Sequence, residues 1–263
     1  MKLTRSGCVV PDTSEIKKEL TVRPIVNADF GVAPPSFKVF RKAKSGLCVP
    51  RYYAEEKFGN VVEDIRPKPE KIKISFKGKL RDETHQNEAL SKAIEAGHGI
   101  LSLPCGFGKT TVSLAIACKL GYRTMIVVHK EFLANQWKER IQQFCPGASI
   151  GIVRQNKKEV DCDFVIAMLQ SLSLKEYSFE DFDSIGTLIV DEAHHICAKV
   201  FSQSLFKLCP KHAFGLSATP NRKDGLTKVL HWFMGPTFFS VERKNQDQVD
   251  VFPLVYTCPR FED

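Results

Sequence analysis

The sequence predicts an α/β protein, a parallel β-sheet held between helices, with a small, mostly β region in front of it. Three observations carry that prediction. Short apolar runs without polar alternation recur at 100–103, Thr124–Val128, 164–169 and Thr187–Val190, as strands covered on both faces require. Between them lie stretches of helical period, giving the strand–helix alternation of a parallel sheet. Ahead of them, the first eighty residues hold several short runs broken by Pro or Gly and few helical signals.

In chain order, 20–26 (LTVRPIV), 36–40 (SFKVF), 47–53 (LCVPRYY) and 72–76 (IKISF) alternate apolar with polar or basic side chains and read as extended segments. Pro67 and Pro69, flanked by Arg66, Lys68 and Lys71, mark a linker or sheet edge and set an expected boundary near residue 78. Residues 82–97 then have an acidic first turn, apolar spacing at Ala89, Leu90, Ala93 and Ile94, and a Gly stop, the marks of a helix. The run 100–103 is the first strand of the body. Lys109–Leu120 is helical and closed by Gly121, Thr124–Val128 is β-branched, and Glu131–Phe144 is helical again. Two further strands follow at 164–169 and Thr187–Val190.

Composition narrows the class. With 263 residues, 43% hydrophobic and 26% charged, the chain has the balance of a globular protein rather than a disordered or collagen-like one. The net charge of +8 is uneven: residues 1–80 carry 17 basic and 9 acidic side chains, while residues 81–263 carry 21 of each. A basic front therefore precedes an electrically balanced body, and the front is read either as a nucleic-acid-binding surface or as a solvated one. Nine cysteines, an odd set with no zinc-type pairs, read as thiols of a reducing compartment. No apolar run reaches the roughly 18 residues of a membrane helix, and MKLTRSGCVV lacks a signal-peptide core. The expectation is an intracellular or virion-internal protein with no membrane partner.

Two segments carry chemistry. Residues 101–111 read LSLPCGFGKTT, an apolar strand, a glycine-containing turn and Lys-Thr opening a helix. Gly106 and Gly108 let backbone amides approach a phosphate, Lys109 can reach the β and γ phosphates, and Thr110 can ligate Mg²⁺. The general pattern has glycine where this chain has Leu103, and a lone GKT also occurs in ordinary strand-to-helix connections. The second segment, 188–195 (LIVDEAHH), ends an apolar strand in two carboxylates. Asp191 could hold Mg²⁺ through water and Glu192 orient an attacking water; alternatively the pair is a helix N-cap and its neighbour. Cys105 reads first as a small side chain in a tight turn. His194 and His195 lack a third metal ligand at a workable spacing, and Trp137 and Trp232 read as core aromatics.

Taken together, these segments resemble the first RecA-like domain of a superfamily 2 helicase, a P-loop NTPase fold. The resemblance extends to Gln86, which matches the family's adenine-reading Gln with two extra residues after Arg81. It also covers 127–137 (VVHKEFLANQW), with Lys130 at a phosphate-contacting position, and 166–172 (IAMLQSL), with Met168 where a Thr is common. Residues 216–220 (LSATP) match the Ser-Ala-Thr coupling motif through Ser217 and Thr219. Residues 221–226 (NRKDGL) are similar to the ATPxRxDG segment of the branch holding XPB, UvsW and the type I and III restriction translocases, with Arg222 and Asp224 matching. The segment 49–59 (VPRYYAEEKFG) resembles the front module of the poxvirus- and asfarvirus-type transcript-release helicases.

The resemblance implies ATP and Mg²⁺ as cofactors. It places nucleotide contacts at Gln86, Pro104, Cys105, Gly106, Phe107, Gly108, Lys109, Thr110 and Thr111, metal ligation at Thr110 and Asp191, and catalysis at Lys109, Asp191 and Glu192. Coupling falls to His194, Ser217 and Thr219, and nucleic-acid contacts to Lys130, Arg222 and Asp224. The expected division is a basic, mostly β nucleic-acid-binding domain (1–78), the first RecA-like domain (79–245) and the start of an interdomain connection (246–263), with the second RecA-like domain absent. The implied partner is DNA, with RNA as the alternative, together with that second domain and the transcription machinery, in the cytoplasmic viral factory or the virion. The competing reading is a non-catalytic nucleic-acid-binding module.

Overall fold

The structure, a computed structural model, describes residues 1–25, 34–197, 199–219 and 221–242. The expected start of the interdomain connection, 246–263, lies outside the described residues.

The front contains β1 (Lys2–Thr4), β2 (Gly7–Val10), α1 (Ser14–Glu19), β3 (Thr21–Val22), β4 (Phe37–Lys38), β5 (Arg41–Ala43), β6 (Gly46–Val49), α2 (Arg51–Phe58) and β7 (Glu63–Asp64). Five of these strands form one sheet in the order β5-β6-β2-β1-β7, and β3 pairs with β4 separately. The run 47–53 splits between strand and helix: Pro50 ends β6 and takes the N-cap of α2, so Arg51, Tyr52 and Tyr53 are helical rather than extended. The run 72–76 joins no sheet. Its backbone lies against the body as a strap, with the Ile72 N–H on Gly121 O (3.0 Å), the Lys77 N–H on Phe144 O (2.7 Å) and a single bridge between Lys71 and Tyr122. The alternation was a true sign of extended backbone with one buried face; what it lacks is a neighbouring strand.

The body continues with α3 (Gln86–Ala96), β8 (His98–Ser102), α4 (Lys109–Leu120), β9 (Thr124–Val128), α5 (Glu131–Phe144), β10 (Ile150–Arg154), β11 (Lys157–Lys158), β12 (Phe164–Met168), α6 (Leu169–Leu174), β13 (Thr187–Val190), α7 (Lys199–Ser204), β14 (His212–Ser217), α8 (Thr227–Met234) and β15 (Thr237–Ser240). The sheet order is β11-β10-β12-β9-β13-β14-β8-β15, parallel throughout except for the β10–β11 hairpin. The helix expected from residue 82 starts four residues later, because His85 is left-handed (φ 58°) and the acidic residues before it form a turn whose Asp82 carbonyl accepts the His85 N–H.

Alternate residues of each strand feed two cores. On one face Leu101, Ile126, Ile166, Ile189 and Phe214 meet α3, α4 and α5, and the strap adds Ile74, Phe76 and Leu80. On the other, Ile100, Val127, Val165, Leu188 and Ala213 share a core with α6, α8 and the front's own Leu3, Val10, Leu47, Val49 and Tyr53. The front thus serves as part of the second helical layer: α2 lies on α8, with Tyr53 edge-on to Trp232 at 5.6 Å and Tyr52 stacked on His98 at 4.2 Å. Arginines close the seam. Arg41 donates to Gln203 O (2.6 Å), Arg51 to Lys211 O (3.2 Å) and Arg66 to Pro210 O (2.6 Å), while Arg5 pairs with Asp183 (3.3 Å). Among the described residues no helix is long and apolar enough to cross a membrane.

Candidate functional site

The carboxyl ends of the parallel strands gather the residues singled out in the sequence. Between β8 and α4, Gly106 and Gly108 both have positive φ (80° and 93°). A Cβ on Gly108 would stand 2.7 Å from Gln86 Nε2, so the turn requires glycine there. Cys105 and Gly106 are exposed at the tip, Pro104 is half-buried and Phe107 anchors the loop in the core. Lys109 opens α4, and half-buried Thr110 and Thr111 complete its first turn, where unpaired N–H groups and the helix dipole favour an anion. Leu103, standing where the general pattern has glycine, is fully buried beneath the loop. Its N–H donates to Ser217 O (2.9 Å) and its carbonyl accepts from Lys109 Nζ (3.4 Å). Its backbone is not left-handed, so a side chain that fills the core is tolerated.

Across the loop, β13 delivers the two carboxylates. Glu192 Oε1 lies 3.8 Å from Lys109 Nζ, and Glu192 itself is left-handed (φ 48°), a strained conformation for a side chain of its size. Asp191 Oδ2 accepts the indole N–H of Trp137 (2.9 Å), and Oδ1 accepts the Glu192 N–H (3.0 Å). Burial pushes the Asp191 carboxyl up, and the bond from Trp137 opposes that shift. Beyond the pair, His194 Nδ1 is 3.5 Å from Glu192 Oε2 and 3.2 Å from Ser217 Oγ, which also accepts the Thr219 N–H (3.1 Å). Lys109, Glu192, His194, Ser217 and Thr219 therefore form one continuous polar chain from the loop to the end of β14. The His195 ring lies between those of His129 (4.1 Å) and His194 (4.4 Å), tilted by 39° and 38°; burial and these neighbours push it down to about 4.

Other sequence candidates occupy different positions. Gln86 is buried, accepting the Arg81 N–H (2.9 Å) and donating to Phe107 O (2.6 Å), so its amide buttresses the loop. Arg222 pairs with Asp224 (2.9 Å) and donates to His194 O (2.8 Å), tying the segment after Ser217–Thr219 back to the carboxylate turn. Lys130 is exposed at the N-cap of α5, at the end of β9, with its ammonium 5.9 Å from the Phe132 ring. Trp137 is core, as its place in an apolar stripe predicts, yet its N–H also holds Asp191; the available signal was that a buried indole N–H needs an acceptor.

The donor set fits Mg²⁺. Thr110 and Asp191 supply hard oxygens, and the Lys109 ammonium already lodges a positive charge between the loop and the acidic pair. Among the described residues no group of three or more His, Cys, Asp or Glu could hold a metal by itself, which suits an ion that takes most of its ligands from phosphate and water.

A parallel sheet with a glycine phosphate loop after one strand and paired carboxylates after another defines a RecA-like P-loop protein. The family model described as "Type III restriction enzyme, res subunit" matches residues 50–222. The chain belongs to this family, within the superfamily 2 helicases. It is 32% identical over 277 residues to a protein of Acanthamoeba polyphaga mimivirus named as an ATP-dependent RNA helicase, L396, covering 99% of this chain and 53% of that one. It is 33% identical to helicase 161L of Invertebrate iridescent virus 6 (85% and 52%), and 31% identical to the DNA 3'-5' translocase XPB2 of Sulfurisphaera tokodaii (73% and 42%). The chain spans about half the length of the curated relatives it matches. The crystal structure of the UvsW helicase from bacteriophage T4 shares the fold, with a TM-score of 0.55 at 14% identity over 86% of this chain and 92% of that one.

Proposed function

We propose that this chain is the ATP-binding half of a nucleic-acid-dependent translocase. The observation that carries the reading is the opposition of Lys109 and Glu192 across the glycine loop at 3.8 Å, with Asp191 fixed beside them. The loop amides and Lys109 bind the β and γ phosphates, and Thr110 and Asp191 hold Mg²⁺, which neutralises phosphate charge when bound. Glu192 orients water and accepts its proton. Displacement of Lys109 toward phosphate frees Glu192 for that task. His194 then transmits the change to Ser217 and Thr219, while the Arg222–Asp224 pair keeps the coupling segment in register. Gln86, expected to read adenine, is buried with its amide on Arg81 N and Phe107 O and so supports the loop rather than facing the base, and Lys130 meets a nucleic-acid phosphate.

A second RecA-like domain supplies the arginine that completes the site; such residues contribute on the order of 10³ to 10⁵ in rate. The proposed substrate is DNA and the process viral transcription, including transcript release, or DNA repair or replication. Support comes from the Asn221–Leu226 segment, the viral relatives and the name of the archaeal translocase; the mimivirus relative's name favours RNA instead. The reading is tested by titrating a fluorescent ADP into this chain with Mg²⁺. Lys109→Ala should weaken binding at least tenfold with the melting temperature unchanged, and equal affinity would remove the phosphate-loop assignment.

A further inference from the structure

The front's charge is concentrated where the fold leaves it unused. Residues 71–80 carry four basic side chains and no acidic one, which is half of the front's eight excess positive charges. Four of the front's five arginines are turned onto body carbonyls and carboxylates, as the bonds of Arg5, Arg41, Arg51 and Arg66 show. The strap's lysines are not. From residue 71 to 80 exposed and half-buried positions alternate strictly: Ile74, Phe76 and Leu80 pack on the core and Ile72 is half-buried, while Lys71, Lys73, Ser75, Lys77 and Lys79 are exposed. None of the four has an ion-pair partner among the described residues. The row is pinned at Gly121 and Phe144, beside the ends of α4 and α5, and runs on to Arg81, whose guanidinium donates to Phe107 O of the phosphate loop (3.3 Å).

We propose that this lysine row is a track for the backbone of a single nucleic-acid strand, separate from Lys130. The inference rests on the nucleic-acid reading above and adds a location to it. Alternate residues of extended backbone stand about 6.7 Å apart. An extended, unstacked strand can present its phosphates at that spacing, whereas a duplex strand advances about 3.4 Å per phosphate along its axis. Like charges held in a row without counter-charges repel each other, and a polyanion lying along them relieves that cost while releasing its own counterions. The apolar face packed on the core keeps the row straight, so little ordering accompanies binding.

The test uses the complete protein with Lys71, Lys73, Lys77 and Lys79 all changed to Gln. Binding of labelled single-stranded DNA, the matching RNA and a duplex is followed across salt by fluorescence anisotropy. The log–log slope on single strands should fall by about 3, at about 0.7 per phosphate lost. A control with Lys18, Lys42 and Lys44 changed to Gln should keep its slope, and both variants should melt like the parent. An unchanged slope in the strap variant, an equal loss in the control, or a loss confined to duplex overturns the track. If Lys130→Ala weakens binding while the strap variant does not, the track fails and the functional reading stands. If the parent binds no nucleic acid at all, both fall.

Discussion

Trp137 holds one oxygen of Asp191 while its ring lies in the core, so a single side chain joins stability to the geometry of the acidic pair. Trp137→Phe keeps a ring and removes the donor. Leaving a buried carboxylate oxygen unpaired should cost about 1–3 kcal/mol, read as a lower urea midpoint for this chain; an unchanged midpoint would show that the bond contributes nothing. Single residues also mark where sequence reading reached and where it stopped. Lys109, Asp191 and Glu192 were legible because a strand end, glycines and charge type specify them together. The pairing of Arg222 with Asp224 and the insertion of Gln86 against Phe107 were not, since each depends on how distant loops meet.

At the scale of elements, α4, β9, α5 and β13 were legible with their limits because their periods are strong and both faces of the sheet are apolar. The inner strands β10 and β14, whose apolar runs are interrupted by Gly151 and Gly215, were not legible, nor were the edge strand β15 and the short β1 and β2. The largest surprise is α2, whose tyrosines fit a strand by composition but form the helix that seals the front onto α8. Tyr53 is buried against Trp232, so Tyr53→Ala should cost about 3–5 kcal/mol. Because the front and one face of the sheet share a core, the loss should lower the melting temperature of the whole chain in one transition. A mutant whose body melts as before, with only the front loosened, would mean that the two parts are held independently.

For the molecule as a whole, charge and protonation follow from the packing. Burial holds His98, His212 and His231 below their ordinary value, and His195 down at about 4. Each is protonated more readily in the unfolded chain, so the unfolded state binds more protons as pH drops below about 6.5, and stability must fall from there toward pH 4. Melting temperatures at pH 7.5 and 5.0 check this: the lower pH should give the lower value, and an equal or higher one would contradict the burial of these rings. The net charge, which as a total describes only a basic protein, resolves into arginines that bind the front to the body and lysines that line the strap. Glu192, facing Lys109 across the glycine loop, is the group proposed to activate water for ATP hydrolysis. Steady-state hydrolysis by the complete protein, with and without DNA, tests it most directly when Glu192→Gln is compared with the parent. The variant should bind nucleotide normally and lose about 10²-fold or more in turnover, whereas hydrolysis at the parental rate would contradict the assignment.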